Sequence, residues 1–175
     1  MLSIEEVYKL LWTQLINNTT LMELMDIVPY TGSYPPLESE TDAWNTFITA
    51  CRKQIFEGQN SDDALTNTKT KIEITEGRNS ITRPSPYVGT ETDYYYIYSW
   101  VTKENNRNNR KTLKIADELI KSLDAKQRQM QGLPPIYIGA GQLMVYNRDP
   151  YAQVDARGWD CYGVIFKVSY IVLQI

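Results

Sequence analysis

The chain has 175 residues, 42% of them hydrophobic and 22% charged, with a formal net charge of -3. That suits one globular domain with a real core, and it argues against the overall basic excess of a nucleic-acid binder. Histidine is absent, so imidazole acid–base catalysis and histidine metal ligation are excluded.

The first element is read as a helix opening at Ser3. Ser3 and Glu6 have capping-box spacing, and Ile4, Val7, Leu11 and Leu15 recur on one face with Leu10 beside them. The sequence "MLSIEEVYKLLW" has no basic segment leading into an apolar run, so a signal peptide is not expected. Asn17 and Asn18 end the helix. Thr20 and Glu23 repeat the capping spacing ahead of a short second helix, which "DIVPYTGSYPP" terminates. The segment "SETDAWNTFITACRKQIF" places Trp44, Phe47, Ile48, Cys51 and Ile55 at helical spacing, although its β-branched content also permits a strand. "EGQNSDDALTNT" is expected to be loop, "KIEI" the start of a strand, and "EGRNSITRPSP" loop again, since its prolines exclude a central strand. A loop-rich insertion is expected over 56–91. Cys51 and Cys161 are expected to be free thiols in a reducing compartment.

"YYYIYSWV" at 94–101 is rich in sheet formers. Tyr94, Tyr96, Tyr98 and Trp100 fall on one face, and Tyr95, Ile97, Ser99 and Val101 on the other. Both faces are bulky, so a helix is expected over one and a neighbouring subunit or layer over the other. The period then turns helical, with a stripe of Leu113, Ala116, Ile120 and Leu123 and Leu119 beside it. "YIGAGQ" at 137–142 lacks the spacing of a dinucleotide loop and precedes a strand-like run, so its glycines are expected to make a tight turn. The closing segment alternates cleanly. Val164, Phe166, Val168, Tyr170 and Val172 share one face; Ile165, Lys167, Ser169, Ile171, Leu173 and Ile175 share the other. A strand apolar to its last residue is expected to end buried, in the subunit core or against a neighbour. The order of elements implies an α+β fold, a mostly antiparallel sheet with helices packed on one face.

Three surfaces invite chemistry. Between Lys103 and Lys121 lie six basic and three acidic residues, and Arg107, Arg110, Lys111 and Lys114 have the character of phosphate contacts or of a surface that meets an acidic partner. They sit in the joint between strand and helix, where basic residues oppose the helix dipole. The tyrosine strand suits a protein interface, or base stacking if a basic groove lies beside it. Asp149, Asp155 and Asp160 are candidate carboxylates for hydrolysis, but no cation-loop spacing accompanies them and no base for a nucleophile is evident. No catalytic, cofactor or metal residue is therefore assigned.

The chain resembles the tail-terminator, or tail-completion, proteins of long-tailed bacteriophages. The resemblance is carried by "IEEVYKLLWTQLINNTTLMELM", by "YYIYSW", by "NNRKTLKIADELIKSL" and by "QVDARGWDCYGVIFKVSYIV", over residues 1–28 and 92–175. It implies a virion protein made in the host cytoplasm and a hexameric ring that caps the tail tube and joins it to the head connector. It also implies that DNA passes through the lumen without specific binding, and that no cofactor is needed. The residues expected at interfaces are Tyr94, Tyr96, Tyr98, Trp100, Arg107, Arg110, Lys111, Lys114, Leu173 and Ile175. The alternative is a nucleic-acid-binding module that uses the basic 107–114 segment.

Overall fold

The computed structural model describes residues 3–57, 69–77, 80–82, 88–107, 109–149 and 158–173. The chain folds as a mixed α+β structure with helices packed against a sheet. The helices are α1 (Ile4–Ile16), α2 (Thr19–Leu24), α3 (Thr41–Arg52), α4 (Lys103–Arg107), α5 (Lys111–Leu123) and α6 (Ala125–Met130). The strands are β1 (Ile55–Glu57), β2 (Thr70–Glu76), β3 (Ser80–Thr82), β4 (Val88–Thr102), β5 (Tyr137–Ile138), β6 (Gly141–Gln142), β7 (Met144–Asp149) and β8 (Trp159–Leu173). The main sheet runs β1-β2-β4-β8-β7, with β3 on the distal part of β4. β1 pairs parallel to β2, and the other pairings are antiparallel.

The long pairing of β4 with β8 is the spine, from Val88 opposite Leu173 to Thr102 opposite Trp159. Directly opposed residues share a face, so this register sorts every side chain. Ile72 and Ile74, Tyr95, Ile97, Ser99 and Val101, and Val164, Phe166 and Val168 line one face and are buried. Helix α5 lies across it through Ile115, Ala116, Leu119, Ile120 and Leu123, and α1 and α2 pack on α5. The α5 stripe is shifted from its expected position. Leu113 sits at the exposed rim, and Thr112 and Ile115 take the buried places. Both stripes satisfy spacings of three and four; only contact with β4 and β8 chooses between them.

Local chemistry explains the ends of the helices. Ser3 caps α1 as expected: its Oγ accepts from the Glu6 amide at 3.3 Å, and Glu6 Oε2 accepts from the Ser3 amide at 2.7 Å. The cap of α2 is Asn18, not Thr20. Asn18 Oδ1 accepts from the Leu21 amide at 2.9 Å, and its amide group donates to Glu118 and Ser122 on α5. A single asparagine thus starts one helix and ties it to another. The third segment is helical as far as Arg52; Ile55 then belongs to β1, buried beside β2. Ser80–Thr82 is a short strand rather than loop. It pairs with Thr90–Thr92. The 56–91 segment accordingly contributes β2 and β3 to the sheet, while residues 58–68, most of the loop expected at "EGQNSDDALTNT", lie outside the described residues. Gly139, at φ +60°, makes the expected turn between β5 and β6.

Candidate interaction surface

The second face of the sheet carries Lys71, Glu73 and Thr75 from β2, Tyr94, Tyr96, Tyr98 and Trp100 from β4, and Cys161, Ile165, Lys167 and Ile171 from β8. No described helix covers it. Its aromatic row is half-buried and self-supporting. Tyr96 and Tyr98, two apart on β4, stack with centroids 6.1 Å apart. Tyr94 meets Tyr146 of β7 edge-on at 5.1 Å, and Lys167 Nζ lies 5.3 Å above the Tyr146 ring. Such contacts hold rings in place at small entropic cost while leaving them half-buried. Tyr96 also explains Gly77. A Cβ there would fall 2.0 Å from Tyr96 Cε2, so only glycine lets the ring lie against the backbone.

The Trp100 end of this face is closed. Lys71 is 4% exposed, with its Nζ 4.6 Å from the Trp159 ring centroid and 5.7 Å from that of Trp100. Ring faces offset part of the cost of burying the ammonium. Trp100 Nε1 donates to Glu73 Oε2 at 3.1 Å. Burial pushes the Glu73 carboxyl above its ordinary pKa, against the opposing pulls of the Trp100 hydrogen bond and of Lys71. Lys71, Glu73, Trp159, Lys167 and Tyr146 were not legible as members of this surface. Their alternation in sequence is visible, but only the register of three strands brings them beside the tyrosines.

The basic joint is arranged around Asn106. Its Oδ1 accepts from the Thr112 amide at 3.0 Å and from Thr112 Oγ1 at 3.2 Å, while its Nδ2 donates to Asp160 Oδ2 at 2.9 Å. One side chain therefore caps α5 and ties it to β8. Arg110, immediately before α5, has φ +46°. Arg107, Arg110 and Lys114 are exposed. Lys111 is not part of that exposed set: it pairs with Asp26 at 2.6 Å, and its side chain is 13% exposed. Asp26 reaches it from a backbone at φ +59°, a turn unrelated in sequence.

The three aspartates are not brought together as a described cluster. Asp160 is engaged by Asn106, the Asp149 backbone pairs opposite Gly163, and Asp155 lies outside the described residues. Among the described residues, no group of three or more Cys, Asp or Glu side chains is placed to hold a metal ion. Burial pushes the Cys51 thiol up to about 12, far from a reactive thiolate. The expected burial of the C-terminal strand in the subunit core fails at Ile171, which is 74% exposed on the uncovered face. The Leu173 backbone pairs with Val88, and Ile175 lies outside the described residues.

The sequence matches no family model and no curated protein. The surface must therefore be interpreted on its own chemistry. Among the described residues, no helix is long and apolar enough to cross a membrane. Apart from Leu113 at the rim of α5, the exposed large apolar side chains among the described residues fall in three groups: Met144, Tyr146 and Ile171 on the uncovered sheet face; Val28, Tyr34 and Leu37 between α2 and α3; and Met130, Leu133 and Tyr137 around α6 and β5.

Proposed function

We propose that this chain is a structural subunit that assembles with copies of itself into a ring, hexameric as its resemblance to phage tail-terminator proteins implies. The ring would close the end of a tail tube and join it to a head connector, with DNA passing through the lumen without specific binding. The observation that carries the proposal is the uncovered sheet face. It carries the half-buried Tyr94, Tyr96, Tyr98 and Ile165 and the exposed Ile171 on the paired strands β4 and β8, and aromatic rings of this kind are enriched at protein interfaces. The charges on the face that come with these rings are few. Lys71 is buried between indoles, and Glu73 is bonded to Trp100. A face of this composition suits a protein partner better than a phosphate backbone, because phosphate binding needs several exposed cations in a row. The basic segment is a weaker nucleic-acid surface than its sequence suggests, since Lys111 is spent on Asp26 and Asp160 lies alongside Arg107, Lys103 and Glu104.

Native mass spectrometry of the protein alone and with purified tail tubes tests this. A closed oligomer, six copies by the resemblance, is expected in at least one condition. Electron microscopy of virions should place the protein at the head–tail junction. A strict monomer in both mixtures, with no density at the junction, would contradict it.

A further inference from the structure

A bulge in β7 decides which side chains reach the uncovered face. Val145 pairs with Phe166 and Asn147 with Ile165, so Tyr146 is the extra residue between them. Arg148 is thereby turned to the α5 side, where it pairs with Asp117 at 3.0 Å. Tyr146 is left against Tyr94, with Lys167 above its ring. In the rows of the face at Thr92, Tyr94 and Tyr96, Lys167 is the one charge among the described residues.

Two other groups of exposed apolar side chains could meet this part of the face, and position separates them. Met130, Leu133 and Tyr137 lie beside β7 itself: Leu143 N donates to Ile136 O at 2.9 Å, and Val145 N to Asp124 Oδ1 at 2.8 Å. Val28, Tyr34 and Leu37 belong to the other edge of the sheet. Their segment packs on α3, with the Tyr34 ring 5.5 Å from Trp44 and Tyr30 6.1 Å from Phe47, and α3 leads directly into β1. β1 and β7 are four strand spacings apart, roughly 19 Å. A closed ring turns two different surfaces of each subunit toward two neighbours. Surfaces at opposite edges of the sheet fit that arrangement, and two surfaces beside β7 do not.

Charge makes the same choice. Over residues 26–51 the sequence has four acidic residues and no lysine or arginine; over 125–140 it has Lys126 and Arg128 and no acidic residue. Asp26 and Glu40 are engaged within the subunit, whereas Glu38 and Asp42 are exposed. Glu40 also fixes the shape of the segment. Its Oε2 accepts from the Ser33 and Leu37 amides and from the Tyr30 hydroxyl, so Tyr34, 68% exposed, is presented on a loop that is already ordered. An ordered loop loses little freedom on docking.

We infer that segment 28–37 of one copy docks on the Tyr94, Tyr146 and Ile171 part of the uncovered face of the next copy, with Glu38 and Asp42 toward Lys167. The inference rests on the ring proposed above and names its contact. The contact is heterologous and repeats head to tail.

Paired variants test it by native mass spectrometry, in the condition where wild type assembles. V28S/Y34A should lower association about tenfold or more, while M130S/L133S should leave it at the wild-type level. These four positions are exposed, so melting temperatures should not change. A charge exchange reads the contact independently. K167E alone and E38K/D42K alone each oppose like charges and should assemble less well than wild type. An equimolar mixture of the two should assemble again, with the chains alternating and present in even numbers. If wild type assembles and V28S/Y34A assembles equally well, or the charge-exchanged mixture stays dissociated, the contact is wrong while the ring stands. If M130S/L133S weakens assembly and V28S/Y34A does not, the partner surface is the one beside β7 and the contact is overturned. If wild type stays monomeric with and without tail tubes, ring and contact fall together.

Discussion

The two faces of one sheet differ in what completes them. On the α5 side, Ile97, Val164, Phe166 and Val168 meet Ile115, Leu119 and Leu123 and are sealed from water. On the opposite side, Tyr96 stacks on Tyr98 and Tyr94 meets Tyr146, with the three β4 tyrosines half-buried, and Ile171 is open to solvent. The same strands alternate between the two, so their sequence propensity is shared and cannot explain the contrast. What differs is the partner. The first face is finished by helices of the subunit; no described helix closes the second, and the contact that would close it is the one we propose.

Substitutions on the two faces should therefore separate folding from assembly. The largest effect is expected from Phe166→Ala, which empties a fully buried site. The loss should be about 3–5 kcal/mol in urea unfolding, a large share of the stability of an ordinary domain. Asn106→Ala comes next. It leaves the Thr112 amide without its cap and Asp160 without its donor, a cost of about 1–3 kcal/mol in the same measurement. An effect at that level would show that the joint between β4 and α5 is a structural device as well as a charged surface.

Glu73 provides a smaller and directional test on the uncovered face. Its folded pKa is raised, chiefly by burial, so its contribution to stability is fully present below the unfolded carboxylate pKa and is lost as pH rises through the folded value. Glu73→Gln keeps an acceptor for Trp100 and removes the charge. The variant should gain stability relative to wild type as pH rises from 4 to 7 in a series of thermal melts. Glu40 has the opposite sign. Its Oε2 accepts from Leu37, Tyr30 and Ser33, which hold its carboxyl below the ordinary range. What it contributes is present above the unfolded pKa and is lost as pH falls through the folded one. The smallest effect on folding is expected from Ile171→Asn, within about 0.5 kcal/mol for the monomer. A folding loss as large as that of Phe166→Ala would mean that Ile171 is buried within the subunit, and the contrast between the faces would vanish.

Much of this contrast is legible in the sequence. Alternation in 94–101 and 164–172 assigned side chains to the correct faces because strand geometry has a strict period of two. The capping box at Ser3 and the turn at Gly139 were equally local, and both hold. What escaped was set by distant residues. "VGTETD" at 88–93 has weak strand propensity and becomes strand because β8 pairs with its whole length. Asn18 outcompetes Thr20 as a cap while also bonding to α5, a hundred residues away. Lys111 looked like an exposed phosphate contact until Asp26 arrived from another turn. The sequence places Ile171 on an apolar strand end, in the core or against a neighbour, because alternation says which face a residue takes but not what covers that face.

The central claim is that the uncovered sheet face becomes buried when copies of this chain meet. Hydroxyl-radical footprinting of the free and assembled protein reads this residue by residue. Tyr94, Tyr146 and Ile171 are expected to lose most of their labelling on assembly, while Met130 and Leu133, exposed elsewhere, keep theirs. Assembled particles in which Tyr94, Tyr146 and Ile171 label as fast as in the monomer would contradict it.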